Sequence, residues 1–159
     1  MKKIIIAAVS KNNVIGRSDS SIPWHNKEDS KHFKNTTLGF PVIMGRKTFD
    51  VLAKPLEGRL NIIITRNNKL IVPFNDVKIF NSINQSLEYC EKESYEKVYI
   101  IGGGEIFLQS MPLADEMIIS FMKFDAEGDL FFPEIGLNMW KIFSKVEKNT
   151  FNIITFVRK

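Results

Sequence analysis

Cysteine and histidine are scarce in this 159-residue chain: Cys90 is its one cysteine, and His25 and His32 are its two histidines. A lone cysteine, here in the polar, helix-like stretch Ser86–Lys92, forms no internal disulfide and suits a reducing, cytoplasmic compartment. Neither histidine has a cysteine or a second histidine at ligand spacing, so no zinc site or other metal site is expected. Long apolar runs are missing too. None approaches the ~18 residues of a membrane span, which excludes the membrane as a partner. Met1-Lys2-Lys3 followed by Ile4–Val9 has the look of a signal peptide. The apolar run stops at Ser10-Lys11-Asn12-Asn13, however, short of the roughly 7–15 residues of a signal core, and a buried first strand explains it better. No basic block exists either. The 22 lysines and arginines are spread among 18 acidic residues, for a net charge of +4. That argues against a nucleic-acid partner and leaves a modest positive field able to draw in an anionic small molecule. With no repeat, linker or break in composition, residues 1–159 are expected to form a single domain.

Short apolar runs are present, at Ile4–Val9, Pro41–Met44, Asn61–Thr65, Val77–Phe80, Val98–Ile101, Met117–Met122, Trp140–Val146 and Phe151–Val157. They are rich in Ile, Val and Phe, as buried strands are. The continuous apolar character of Ile4–Val9 and Ile62–Ile64 predicts strands covered on both faces. Helices are expected between them: Lys27–Thr36 capped by Asn26, a short turn at Thr48–Leu52, a helix from Ser82 or Asn84 through Cys90, and Gly104–Ser110. Strand–helix alternation makes the fold class α/β. The last two runs, joined by the polar turn Glu147–Thr150, read as an antiparallel hairpin. The expectation is a central eight-stranded mixed sheet, mostly parallel, with an antiparallel C-terminal edge strand and about four flanking helices.

Three strand ends carry chemistry suited to phosphate. Val98–Ile101 runs into Gly102-Gly103-Gly104 and then a helix, where free N–H groups and missing side chains let an anionic ligand approach. This is not the GxGxxG fingerprint, so an ordinary Rossmann domain is not supported. Pro41-Val42-Ile43-Met44-Gly45 leads into Arg46-Lys47-Thr48-Phe49. Two cations at a helix N-terminus oppose its dipole unless an anion offsets them. Thr65-Arg66 repeats the pattern. Each taken singly reads equally as a tight turn or surface charge; together they suit a dinucleotide at the carboxyl ends of the strands. In Lys27–Thr36, helical spacing puts Asp29, His32, Phe33 and Thr36 on one face. That face could form a pocket acidic at one end and apolar beyond, although an acid in a first helical turn is also favoured by the dipole alone. The polar stretch Gly16–Ser21 could be a lid or a plain loop.

In order and spacing these segments resemble dihydrofolate reductase across the whole length. The resemblance is carried by Ile6-Ala7-Ala8, Val14-Ile15-Gly16, Pro23-Trp24, Asp29 with Phe33-Lys34, Thr37, Pro41–Phe49, Lys54-Pro55-Leu56, Gly58-Arg59, Asn61-Ile62, Ile101–Gly104, and Glu127-Gly128-Asp129 with Phe132-Pro133. It implies reduction of 7,8-dihydrofolate to 5,6,7,8-tetrahydrofolate by hydride transfer from NADPH, in the service of one-carbon metabolism, by an enzyme of the kind that the antifolates methotrexate and trimethoprim target; the oligomeric state expected for it is a monomer. The resemblance gives Asp29, Trp24 and Ile22 the catalytic positions. Asp29 would hold the pterin amino group and ring N–H, Trp24 an ordered water, and Ile22 a place in the mobile loop. Ile6, Ala8, Phe33, Leu52, Lys54, Leu56, Ile101 and Ser120 would join Asp29 around the substrate, with Arg59 on its glutamate α-carboxylate. The implied cofactor site comprises Ala8, Val14, Ile15, Gly16, Ser20, Gly45, Arg46, Lys47, Thr48, Thr65, Arg66, Asn81, Ile101, Gly102, Gly103, Gly104, Glu105, Ile106 and Phe107.

Five departures stand out against the family pattern, the first being Asn26-Lys27-Glu28, a more polar approach to the acid than is usual. Phe107 occupies the place of a frequent tyrosine, Ser120 that of a threonine, Ile22 that of a methionine or leucine, and Asn81 that of a basic residue. None removes a required group. Two other readings compete. The reductase domain of riboflavin synthesis resembles this fold and also uses NADPH, but Pro23-Trp24, Asp29 and Gly58-Arg59 argue against it. A nucleotide-binding module without chemistry would leave Asp29, Trp24 and Arg59 without a purpose.

Overall fold

The computed structural model describes residues 1–19, 21–67 and 69–159. Eight strands form the main sheet: β1 (Lys2–Val9), β3 (Val42–Gly45), β4 (Asn61–Ile64), β5 (Val77–Phe80), β6 (Lys97–Gly102), β7 (Glu116–Met122), β9 (Trp140–Glu147) and β10 (Phe151–Arg158), in the order β5-β4-β3-β6-β1-β7-β10-β9. Every neighbouring pair from β5 to β7 is parallel. The C-terminal β10 is antiparallel to β7 and pairs antiparallel with β9, as the hairpin reading expected; the edge itself is β9, so β10 lies one strand in from it.

Strand alternation divides the core between the two faces of the sheet. Ile5, Ile43, Ile62, Val98, Ile100, Met117 and Ile119 point to one face, where helices α3 (Ile83–Lys92) and α4 (Gly104–Ser110) cover them through Ile83, Leu87, Cys90, Ile106 and Phe107. Ile4, Ile6, Val42, Met44, Ile63 and Tyr99 point to the other, under α1 (Lys27–Thr37) and α2 (Arg46–Leu52) through Phe33, Phe49 and Leu52. Adjacent isoleucines thus enter opposite layers, which is why the central strands read as unbroken apolar runs. Cys90 is wholly buried in the first layer, and burial pushes its thiol up to about 11, out of reach of redox chemistry at neutral pH.

The helix starts follow their capping chemistry. The Asn26 side chain accepts the Asp29 N–H at 3.0 Å, and Ser82 accepts the Gln85 N–H at 3.2 Å, so Ser82 rather than Asn84 opens α3. Helix α2 begins at Arg46, two residues before the expected Thr48, because Gly45 in extended conformation serves as its cap. Pro41, which has no N–H to give, stays outside β3, while its carbonyl accepts the Tyr99 N–H at 3.0 Å.

One element was not foreseen. Val14–Gly16 (β2) and Leu130–Phe131 (β8) pair antiparallel in a separate two-stranded sheet. Runs of three and two residues are too short for any periodicity to announce them. Beside this pair the chain packs backbone against backbone. A Cβ built at Gly128 would lie 2.5 Å from both the Gly16 carbonyl oxygen and Val14 Cγ1. Gly128→Ala is therefore expected to destabilise the protein by about 1–3 kcal/mol, measured by thermal or denaturant unfolding; an unchanged midpoint would show that the contact yields freely.

Candidate active site

From β1 the chain first builds the sheet towards β5, then returns to β6 and crosses β1 to reach β7. Ligands in open α/β sheets bind outside the carboxyl ends of strands where the order reverses. A cleft lies there. It is lined by Ala7 and Ala8 at the end of β1, Ile101 at the end of β6, Gly103 beyond it, and Thr48 and Phe107 in α2 and α4. Ile15, Gly16, Ile22 and Leu130 close it from the small sheet and the following loop. Eight of these ten were expected from the sequence. Ala7 and Leu130 were not: Ala7 lies within a matching motif with no polar group to mark it, and Leu130 belongs to the unforeseen β8.

Asp29 sits in the first turn of α1, half-buried, and burial pushes its carboxyl above the ordinary value of 3.8. The Ser120 hydroxyl, from the buried end of β7, and His32 one turn along α1 both pull in the opposite direction without reversing the shift. Trp24 packs edge-on against Phe124 at 5.8 Å, and both it and Ala8 at the end of β1 pack against the buried cluster of Met122, Phe151 and Ile153. Ile22 is 54 % exposed at the mouth of the cleft. Phe33, Leu52, Leu56 and Ile101 stand half-buried around Ile6 and Phe49, an apolar wall on the same side of the sheet as Asp29.

Arg59 is the most informative side chain. Only 8 % of it is exposed. Its Nε donates to the Glu57 carbonyl at 3.0 Å and its Nη1 to the Thr37 hydroxyl at 2.9 Å. Thr37, wholly buried at the end of α1, in turn donates to the Phe33 carbonyl at 2.9 Å. Asn61 clamps the approach by accepting the Leu56 N–H and donating to the Leu56 and Arg59 carbonyls. Among the described residues no carboxylate pairs with Arg59. A guanidinium fixed in this way keeps donors free for a forked anion, and burial without a counter-charge is unfavourable unless one arrives. Lys54, by contrast, is exposed just beyond the left-handed Ala53.

The phosphate-suited strand ends are more varied than their sequence suggested. Arg46 pairs with Asp50 at 3.7 Å and Arg66 with Glu105 at 3.6 Å, both exposed pairs that solvent weakens. Lys47 is exposed, and the Thr65 hydroxyl accepts the Asn67 N–H at 3.1 Å in a turn. Gly102 has φ +114°, and a Cβ there would strike the Phe107 ring at 3.0 Å, so the strand can turn into α4 only as glycine. The peptide Gly102–Gly103 is cis. A Cβ at Gly104 would make ordinary van der Waals contact with Ile15 Cδ1 at 3.7 Å. Asn81 is exposed, its N–H given to Gln85 Oε1 at 3.3 Å.

Two residues grouped with the cofactor site face elsewhere. Val14 is 1 % exposed, and Ile106 is 7 % exposed and packs against Gly45 and the core. Their side chains build the walls rather than line the cleft, because positions next to a ligand in sequence alternate with positions that point inward. Ser20 lies outside the described residues. In the loop before it, the Ser18 hydroxyl donates to Asp129, which ties this loop to the turn before β8.

The family model described as dihydrofolate reductase matches residues 3–157. The dihydrofolate reductase of Staphylococcus haemolyticus is 36 % identical over 157 residues, covering 96 % of this chain and 92 % of its own length. That of Neisseria gonorrhoeae is 40 % identical over 149 residues, covering 93 % and 89 %. Among solved structures, Enterococcus faecalis dihydrofolate reductase, complexed with NADP(H) and RAB-propyl, superposes with a TM-score of 0.88 at 32 % identity, covering 99 % of this chain and 96 % of that one. Motif order, sheet topology, the cleft at the strand ends and full-length similarity converge: the chain belongs to the dihydrofolate reductase family.

Proposed function

We propose that this chain, acting as one domain over residues 1–159, reduces 7,8-dihydrofolate to 5,6,7,8-tetrahydrofolate with NADPH as the cofactor. The observation that carries the reading is the pairing of a half-buried acid, Asp29, with a buried Arg59 that has no carboxylate at ion-pair distance among the described residues, on either side of an apolar wall. Dihydrofolate has the complementary form: hydrogen-bond donors on its ring edge, an aromatic middle and a carboxylate tail.

Asp29 accepts hydrogen bonds from the pterin amino group and ring N–H. Its raised proton affinity lets the carboxyl hold a proton close to the ring nitrogen that must gain one, directly or through a water held beside Trp24. Ser120 supports the carboxylate through its hydroxyl. Phe33, Leu52, Leu56 and Ile6 enclose the ring and the aromatic middle, keeping water from the reacting atoms. Arg59, held by Thr37, takes the α-carboxylate.

The residues at the strand ends fit an anionic dinucleotide. The Gly102–Gly104 turn has no side chain to obstruct one, and Arg46, Lys47 and Arg66 bring exposed cations suited to the phosphates, including a 2′-phosphate. Ala8, Gly16, Thr48, Ile101 and Phe107 would border the nicotinamide end, and Asn81 the adenine end. When bound, NADPH supplies the hydride.

A monomer is the state this reading takes: Lys141 and Lys145 along the edge strand β9 and the register shift at Thr155/Phe156 discourage pairing with another chain, and they are set against Ile142, Phe143 and Val146, which are exposed on the same strand. The scattered charge argues against a nucleic-acid partner, and no helix among the described residues is long and apolar enough to cross a membrane. A cytoplasmic location follows from the reducing environment that suits the buried free thiol.

Calorimetry separates this function from a binding module without chemistry. Methotrexate is expected to bind, and more tightly once NADPH is present. NADPH binding with no antifolate binding would favour the module.

A further inference from the structure

The sequence places His32 on the same face of α1 as Asp29, yet the roles above leave it unused. Its Nδ1 lies 3.4 Å from the Thr36 hydroxyl. That hydroxyl donates its one proton to the His32 carbonyl at 2.7 Å, so towards the ring it can only accept. The neutral imidazole therefore carries its proton on Nδ1 and presents a lone pair at Nε2. Nε2 is buried, and no group among the described residues partners it.

Two charged groups act on this ring. Asp29 is one turn away on α1, at a spacing that makes the two side chains neighbours. Lys148 reaches in from the turn between β9 and β10, where it also pairs with Glu28 of α1 at 3.8 Å. Burial holds the ring's proton affinity below the ordinary imidazole value; the Asp29 carboxylate opposes that shift and the Lys148 ammonium adds to it.

We propose that His32 is a positioning residue for the reaction: His32 and Asp29 form one coupled proton-holding pair, in which the imidazole governs how readily the Asp29 carboxyl takes up and releases its proton. A single proton entering the pair from solvent resides on the Asp29 carboxyl or on Nε2. A second enters only at lower pH, because the pair then carries net positive charge beside Lys148. Two such sites titrate in macroscopic steps that belong to the pair. The enzyme then keeps a carboxyl of raised proton affinity without pushing its titration far into the neutral range, since the neighbouring ring returns part of what burial removes.

The test uses His32→Leu and His32→Gln, both checked for native thermal unfolding. The Asp29 carboxyl carbon is followed by NMR against pH in the full-length protein without substrate. Wild type should titrate in two steps, mirrored at the His32 ring. Both variants should show a single Asp29 step, displaced upward by about half a pH unit or more. His32→Gln should match His32→Leu in titration, since the amide hydrogen-bonds but carries no charge. The second arm rests on the proposed reduction of dihydrofolate: the pH limb of kcat/KM should move upward in both variants by the same amount. Superimposable Asp29 titrations in wild type and variants would overturn the coupling. Coupling by NMR with unmoved pH limbs would overturn its role in turnover. Absence of turnover in wild type would instead strike the proposed function, while the NMR arm still decides the pair.

Discussion

Asp29→Asn lowers kcat/KM for dihydrofolate at neutral pH by about 10²–10⁴-fold, the range by which a positioned acid or base accelerates proton transfer. The amide keeps the shape of the carboxyl but neither holds the proton nor accepts from two donors as an anion. The deficit should shrink as pH falls, because solvent then protonates the pterin without help. Stability should change in the other direction. Burial raises the Asp29 value in the folded state above 3.8, so the native protein binds more protons there than the unfolded chain. The sign follows: this group's contribution to stability declines as pH rises from about 3.8 through the raised folded value, and above that window the ionised carboxylate is a standing penalty. Asn carries no such penalty, so the variant should melt at a higher temperature than wild type at neutral pH and at a similar one in acid. Steady-state kinetics and thermal melts across pH test both halves. A variant with near-normal turnover at neutral pH would remove Asp29 from the chemistry.

The second large effect belongs to Arg59. Arg59→Leu should raise KM for dihydrofolate about 10²-fold and leave kcat and NADPH affinity close to wild type. A charge-assisted hydrogen bond contributes roughly 1.5–3 kcal/mol, and a forked carboxylate contact uses two. The contact lies far from the reacting ring, so it stabilises ground and transition states alike. Arg59→Lys should recover little, because an ammonium cannot reproduce the fork or keep the bonds to both Thr37 and Glu57. A substituted enzyme with unchanged KM would mean that the carboxylate binds elsewhere.

Much of this arrangement was legible in the residues. Unbroken isoleucine runs gave the central strands because both faces of the sheet are covered. Asn26 and Ser82 announced two helices through their caps. Of the three strand ends suited to phosphate, those at Gly45–Thr48 and Gly102–Gly104 border the cleft through Thr48 and Gly103. What sequence could not show depends on distant partners. The β2–β8 pair is too short to carry a period. Thr37 reads as a helix-terminal threonine until its hydroxyl is seen to hold Arg59, twenty-two residues away. Arg46 and Arg66 looked like free cations, and the fold gives each an acidic neighbour. Val14 and Ile106 stand in the right motifs, yet strand and helix geometry turns their side chains into the core. Asp29 could not be separated from an ordinary first-turn acid by its spacing; its half-burial beside Ser120 and His32 makes the difference.

The central claim is that one chain brings an acid-anchored pterin and NADPH together for reduction. The most direct measurement is the loss of NADPH absorbance when dihydrofolate is added to the purified protein. A steady, enzyme-dependent loss, abolished by methotrexate and reduced in proportion by Asp29→Asn, is the predicted result. No loss with dihydrofolate, or turnover of a ribosylated pyrimidine in its place, would contradict it.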